Sequence, residues 1–365
     1  MSAPPADAAE RPRRLFLAAA LALGLGVIGL LVWLSDTPTL LRTAAAISPT
    51  AFALPVLLTL FSYAAMSRSY QGIADAAGCE LRFRDWLRIT FVSNTVNYLV
   101  TSAGLSGFAV RMFLLSKRAV PSGRAVLISL VQTFLTNFTL LVFILLGFAT
   151  LVLGHSLPAP ALAAASTAIA LFVSTLGWAV VLMYNHRLRR RTLFLIADAG
   201  HRILRRVFPR WTPGRVRLWR FQHRLNEGLE FLLSRKDRML IPAGWIMLDW
   251  VLTIAILWAA FRAVNYPIPP GVVVVGFAVG IVLSLVSFVP GGLGVMEGSM
   301  TAVFVGLGVP FENAFLAVLI FRVAYYVLPL VLSFVLFHGL MLQAAHGVAR
   351  RSSGARFDTS LPPPI

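Results

Sequence analysis

The chain alternates long apolar segments with short polar ones, and the apolar segments have membrane-spanning length. Leu15–Leu34, for example, holds twenty residues without a charge, and about 20 apolar residues cross a bilayer as a helix. The pattern predicts an all-α polytopic membrane protein with about six full transmembrane helices. The predicted full spans are Leu15–Leu34, about Ala51–Met66, Ala125–Leu153, Ala161–Tyr184, Met239–Phe261 and Ala314–Leu340.

Two further apolar segments are interrupted by glycine-rich breaks. Ile89–Ser116 is broken at Thr101–Gly107, and Gly271–Gly308 is broken at Pro290–Gly294. Basic loops mark the cytoplasmic side, so the first segment enters from the cytoplasm and the second from outside. The pattern predicts two re-entrant helical hairpins of opposite orientation, as in inverted-repeat transporters with a site near the midplane. The alternative is that one or both segments cross the membrane with a kink.

Composition leaves no room for a large soluble domain, because 58% of residues are hydrophobic and 13% charged. The net charge of +18 is concentrated in one loop, residues 186–238, which holds 15 Arg and Lys against 4 Asp and Glu. That distribution follows the positive-inside rule and argues against nucleic acid as a partner. It predicts a multi-pass protein of the cell (plasma or inner) membrane with both termini in the cytoplasm.

The predicted domain organisation has three parts. Residues 1–14 form a cytoplasmic tail, residues 15–346 the transmembrane domain, and residues 347–365 a disordered cytoplasmic tail. Within the loop 186–238, apolar residues recur every three or four positions between arginines. This spacing predicts an amphipathic helix on anionic lipid headgroups, and an ordinary solvated connector is the equal alternative.

Four charged residues fall inside the predicted membrane segments, where a charge is costly and therefore informative. Arg111 and Glu297 each follow a glycine-rich break, and Asp249 and Arg322 lie in full spans. If the hairpins meet at the midplane, Arg111 and Glu297 approach each other, and a direct pair is one hypothesis. The simpler alternative is that all four charges serve only to pair helices.

The second break offers a site for an anion. Its Pro-Gly-Gly sequence leaves backbone N–H groups free at the start of a half-helix, where the dipole is positive. Arg111 and Arg322 could add charge-assisted hydrogen bonds to a phosphate. Glu297 then either forms an ion pair that the substrate displaces or accepts a proton, and the sequence does not choose between them.

Polar residues at other membrane positions suit a lined cavity, although interhelical hydrogen bonding is the preferred explanation for each of them taken singly. Tyr325 and Tyr326 are either core aromatics or site residues. The chain has no Walker A, dinucleotide or G-x-S-x-G motif and no metal-spaced histidines, so no enzyme activity, cofactor or metal is predicted. The polar residues that suit a lined cavity are Asn94, Asn97, Gln132, Thr136 and Asn137.

The segments "SLVSFVPGGLGVMEG", "LIFRVAYYVLPLVLSF" and "NTVNYLVTSAGLSGFAVRMFLL" resemble the transmembrane flippase region of the lysylphosphatidylglycerol synthase (multiple peptide resistance factor) family. The resemblance covers roughly Leu15 to His346 and implies about eight helices with re-entrant elements that move a lipid between leaflets. With Asn97 and Asp249 added from the reasoning above, the predicted substrate-binding residues are Asn94, Asn97, Gly104, Gly107, Arg111, Asp249, Pro290, Gly291, Gly292, Gly294, Glu297, Arg322 and Tyr326.

The full-length synthases append a cytoplasmic aminoacyl-transferase domain, which this sequence does not contain. We therefore expect a stand-alone flippase for an anionic or polyprenyl-linked lipid, with no covalent chemistry. The family resemblance also suggests a homodimer. The alternatives are an integral-membrane transferase acting on a lipid-linked donor and a non-transporting scaffold that recruits an enzyme through its arginine-rich loop.

Overall fold

The computed structural model describes residues 37–45, 47, 49–99, 105–154, 159–185, 187–189, 191–192, 195, 230, 234, 236–286, 292–334 and 336. Regular structure in these residues is helical, which confirms the polytopic all-α class. The helices are α1 (Thr37–Ala45), α2 (Pro49–Ala76), α3 (Phe83–Leu99), α4 (Leu105–Ser116), α5 (Ser122–Gly154), α6 (Ala159–Tyr184), α7 (Leu240–Ala263), α8 (Pro270–Val286), α9 (Val295–Gly306) and α10 (Phe311–Arg322).

Four helical segments are long and apolar enough to cross a membrane. They contain 24 to 29 residues, and at about 1.5 Å per residue each exceeds the roughly 30 Å hydrocarbon core. Helix α6 corresponds to the predicted span Ala161–Tyr184. The four segments are Thr50–Ala76, Ser122–Thr150, Asp237–Ala263 and Phe311–Phe334, the last of which continues α10 through a π-helical turn.

Several predicted elements lie outside the described residues. These are the first span, both terminal tails and most of the loop 186–238. The amphipathic helix in that loop therefore stays a prediction.

Two predicted boundaries were wrong. The segment between the first two predicted spans, which no predicted helix included, forms α1. Helix α2 does not end near Met66 but continues to Ala76 and so includes Arg68. Arg68 does not end the helix because its side chain is exposed and its guanidinium lies 4.2 Å from the ring centroid of Phe83; a long cationic side chain can extend away from an apolar surface in this way.

Both interrupted segments fold back as antiparallel helical hairpins. The two hairpins have the same pair of arm lengths. The first hairpin pairs α3 (17 residues) with α4 (12 residues), and the second pairs α8 (17 residues) with α9 (12 residues). In the second hairpin, Gly276 faces Phe304 and Gly280 faces Met300. Residue numbers that rise on one arm while they fall on the other establish a hairpin rather than a kinked span.

Glycine permits the close approach of the arms in the first hairpin. A Cβ on Gly107 would lie 2.7 Å from both the Asn97 Cβ and the Ser93 carbonyl oxygen. In the second hairpin, Gly292 and Gly294 have φ values of 63° and 78° just before α9, a backbone region that disfavours residues with a side chain. Gly104, Pro290 and Gly291 lie outside the described residues.

The two hairpins have their open ends at opposite ends of a central helix pair. Helices α2 and α7 are antiparallel, since Gly72 contacts Pro242 while Ser62 contacts Asp249. The open end of the first hairpin lies by the end of α2, where Arg124 donates to the Gly78 carbonyl oxygen at 2.9 Å.

The second hairpin opens at the other end of the same pair. The Phe304 and Phe261 ring centroids are 4.8 Å apart, and Asn313 Nδ2 donates to the Val264 carbonyl oxygen at 3.4 Å, so this open end lies by the end of α7. The opposite orientation that the charge pattern predicted is thus present in the structure.

We predict that Gly107→Ala destabilises the first hairpin by about 1–3 kcal/mol, because the added methyl group meets backbone that cannot move aside. Thermal unfolding in detergent micelles measures this. Gly244→Ala on α7, where a Cβ meets nothing within 4 Å, is the matched control and should stabilise slightly. A Gly107→Ala protein as stable as Gly244→Ala would contradict the packing described above.

Candidate functional site

A cavity of about 440 Å³ lies where the first hairpin meets helices α2, α5, α7, α8 and the α10 segment. Six of the predicted site residues line it: Asn94, Asn97, Gly107, Arg111, Asp249 and Tyr326. Gln132, Thr136 and Asn137 of α5 also line it, as the lined-cavity hypothesis expected. Its other lining residues are Met66, Tyr70, Tyr98, Phe108, Thr133, Leu140, Trp250, Thr253, Phe277, Ile281, Phe321 and Tyr325.

Arg111 brings a positive charge to the cavity. Its guanidinium carbon lies 4.3 Å from the Tyr70 ring centroid, and its Nη2 is 3.4 Å from Ser93 Oγ. Its buried Nε has no hydrogen-bond partner, and within the described part of the chain no acidic residue forms a salt bridge with it. A buried cation with an unused donor suits an anionic ligand.

The hairpin geometry explains how Arg111 reaches this position. Gly107 packs directly on Ser93 and Asn97, so Arg111, one turn further along α4, lies beside Ser93 as well. A side chain at Gly107 would separate the two arms and move the guanidinium away from α3.

Asp249 is the acidic group of the cavity and lies near the middle of α7. Ser62 Oγ of α2 donates to its Oδ1 at 2.5 Å, and Thr253 Oγ1 donates to its backbone carbonyl oxygen at 2.8 Å. Asp249 is 4% exposed. In the described residues its hydrogen-bond partner is this hydroxyl, and no Arg, Lys or His forms a salt bridge with it.

Amide and hydroxyl side chains complete the polar part of the wall. Gln132 Oε1 accepts a hydrogen bond from Ser69 at 3.0 Å, which links α5 to α2. Asn94 Nδ2 lies 2.7 Å from the Met66 sulfur, and Asn97 Oδ1 is buried without a partner. Asn97 therefore offers an unused acceptor in the same hairpin that presents the unused Arg111 donor.

Residues of the second hairpin contact the side chains that position Tyr326 in the cavity wall. Arg322 Nε donates to Glu297 Oε1 at 2.6 Å, and both side chains are buried. The Arg322 guanidinium carbon lies 4.1 Å from the Tyr326 ring centroid, and Tyr326 Oη is 3.5 Å from the Met296 sulfur. These contacts hold Tyr326 in place at the cavity.

The hypothesis of a direct Arg111–Glu297 pair was wrong, because Glu297 pairs with Arg322. Helix α10 packs against α9, which brings Arg322 to the first turn of α9. Arg111 instead turns toward Tyr70 of α2. Glu297, Arg322, Gly292 and Gly294 are not among the residues that line the cavity.

Sequence reasoning missed Tyr70, Tyr98 and Trp250, which form the aromatic part of the wall together with Tyr325 and the predicted Tyr326 of the π-helical turn. That turn, Val323–Val327, follows Arg322 directly. A π-helical turn inside an α-helix often marks a functional site, but its sequence gives no clear signal. Tyr70 lies beyond Met66, the predicted end of the second span, and was therefore not considered. Because α2 continues past Met66, Tyr70 belongs to the same helix and becomes a candidate site residue.

The fold and the cavity define a polytopic helical membrane protein with two helical hairpins whose open ends lie at opposite ends of the α2–α7 pair. Residues 18–333 match the family described as the lysylphosphatidylglycerol synthase TM region, and the chain belongs to that family. It is 29% identical over 108 residues to a UPF0104 membrane protein of Methanothermobacter thermautotrophicus, covering 29% of this chain and 30% of the relative.

A second relative is a phosphatidylglycerol lysyltransferase of Staphylococcus haemolyticus. The identity is 32% over 88 residues, which cover 24% of this chain and 10% of the relative. The matched regions thus span less than a third of either relative's length.

We predict that Glu297→Gln lowers the free energy of unfolding by about 3–5 kcal/mol, because the buried Arg322 guanidinium loses its counter-charge. Glu312→Gln, in the first turn of α10, is the matched control and should cost less than about 1 kcal/mol. Thermal unfolding of both variants in detergent measures the difference. Equal effects of the two substitutions would contradict a structural role for the Glu297–Arg322 pair.

Proposed function

We propose that this protein moves a lipid with an anionic headgroup, a phospholipid or a polyprenyl-linked lipid, between the two leaflets of the cell membrane. The observation that supports it most directly is Arg111, a buried cation with an unused N–H that lines a cavity and has no carboxylate partner among the described residues. Phosphate is the lipid group that a guanidinium binds best.

The dimensions of the cavity support a headgroup rather than a whole lipid. About 440 Å³ lies at the lower end of the range for small-molecule sites and leaves no room for two acyl chains. The chains would remain in the bilayer while the headgroup crosses through the protein.

The opposed hairpins provide a physical route for that crossing. The two hairpins have their open ends at opposite ends of the α2–α7 pair, and the cavity lies between the hairpins. In transporters built from inverted repeats, rocking of one repeat against the other exposes a central site to each side in turn. We infer the same alternating access here, with both termini in the cytoplasm.

Transport is favoured over group transfer by the arrangement of the acidic residues. The Asp249 carboxylate accepts a hydrogen bond from Ser62, and the Glu297 carboxylate forms a salt bridge with Arg322. Glu297 does not line the cavity. The two carboxyl groups therefore do not form the acid–base pair that a transferase site would use.

We predict that Arg111→Gln lowers the rate of anionic lipid translocation by roughly 10- to 100-fold, the value of a lost charge-assisted hydrogen bond of about 1.5–3 kcal/mol. The measurement is the transfer of fluorescent phosphatidylglycerol between the leaflets of proteoliposomes. The transfer is detected by quenching the fluorescence of the lipid in the outer leaflet.

Arg262→Gln is the matched control, since this exposed arginine also lies over an aromatic ring, 5.6 Å from the Trp258 centroid, but outside the cavity. It should leave the rate unchanged. The proposal fails if wild type transfers neither phosphatidylglycerol nor a fluorescent polyprenyl phosphate faster than empty liposomes. It also fails if Arg111→Gln matches Arg262→Gln.

A further inference from the structure

The cavity contains a second charge that anion binding does not use. Asp249 shares the cavity with Arg111, near the middle of the span Asp237–Ala263. Its contact is with a hydroxyl, Ser62, and a salt bridge to a cation is absent among the described residues. An ionised carboxylate at membrane depth is costly, so its charge must be balanced in every state of the site.

The net charge of the cavity changes when an anion binds in it. With an empty cavity and Asp249 ionised, the charges of Arg111 and Asp249 sum to zero among the described residues that line it. A headgroup with one negative charge that binds Arg111 leaves Asp249 uncompensated. Binding one proton from water at the Asp249 carboxylate returns the loaded cavity to zero net charge.

We propose that Asp249 is the proton-binding residue that couples movement of the lipid headgroup to movement of a proton in the same direction. This inference rests on the proposed function and specifies its coupling ion. The headgroup and the proton bind together on one side, and both leave on the other. The Ser62 hydroxyl suits both forms, because it donates to the carboxylate and can accept from the acid.

Glu297, the other buried acid considered for proton uptake, does not fit this role. Its Oε1 lies 2.6 Å from Arg322 Nε, so its charge is already compensated. It does not line the cavity, and a headgroup on Arg111 therefore does not meet it.

The remaining groups around Asp249 do not compete for the proton. Among the described residues, the other ionisable side chains close to Asp249 or in its cavity are one guanidinium and several phenols, and both types ordinarily keep their protons in the neutral range. The wall residues of α5 and α8 are amides, hydroxyls and hydrocarbons. These ionisable residues are Arg111, Tyr63, Tyr70, Tyr98, Tyr325 and Tyr326.

The test is the pH dependence of lipid binding to the purified full chain. Short-chain phosphatidylglycerol is titrated into the protein in detergent, and binding is followed by tryptophan fluorescence, to which Trp250 of the cavity wall contributes. Wild-type affinity should fall as pH rises, by up to about tenfold per pH unit for one proton taken up per lipid. Asp249→Asn, which resembles the protonated acid, should bind at every pH about as tightly as wild type does at low pH.

Two controls separate this effect from general pH sensitivity. Glu312→Gln, on a carboxyl group outside the cavity, should keep the wild-type slope. Infrared difference spectra should gain the carbonyl band of a protonated acid when lipid binds wild type, and Asp249→Asn should lack that band.

The outcomes distinguish this inference from the function on which it rests. A slope in Asp249→Asn equal to that of wild type, or lipid binding to wild type that ignores pH, would overturn proton coupling while leaving lipid transport in place. Absence of phosphatidylglycerol binding to wild type at every pH would count against both.

Discussion

The guanidinium of Arg111 is the constraint around which the site is arranged. A buried cation inside a bilayer needs an anion, an aromatic face or water, and here the described protein supplies one tyrosine ring and one weak hydroxyl contact. The first hairpin places it there through the Gly107 contact, and its buried Nε has no hydrogen-bond partner among the described residues. The proposed anionic headgroup is the partner that would complete this set of contacts.

The two hairpins provide similar parts for different purposes. Each is associated with an arginine that lies over a tyrosine, Arg111 over Tyr70 at 4.3 Å and Arg322 over Tyr326 at 4.1 Å. The difference is Glu297, which neutralises Arg322, whereas no acidic residue of the described part of the chain forms a salt bridge with Arg111. One arginine is therefore fixed within the protein, where it holds an aromatic wall, and the other remains available to a ligand.

Much of this arrangement could be predicted from the sequence, because it depends on local patterns. Glycine and proline at membrane depth predicted both hairpins, and the arginine distribution predicted their opposite orientation. The buried charges Arg111 and Asp249 were found for the same reason, since an ionisable residue in an apolar segment is conspicuous.

The pairing of those charges could not be predicted, because it depends on which helices pack together. Sequence spacing placed Arg111 and Glu297 at equivalent points after their breaks, but the contact of α9 with α10 gives Glu297 to Arg322. The π-helical turn that brings Tyr325 and Tyr326 to the cavity likewise follows from packing. Helix α2 was predicted too short because one exposed arginine was taken as the end of the span.

The central claim, that Arg111 holds an anionic lipid in the cavity, is tested most directly by the lipids that co-purify with the protein. Mass spectrometry of wild type and of Arg111→Gln, prepared from the same membranes, should show one anionic lipid class retained by wild type and lost from the variant. The zwitterionic lipids that surround both proteins should be unchanged. Identical lipid profiles for the two proteins would contradict the account.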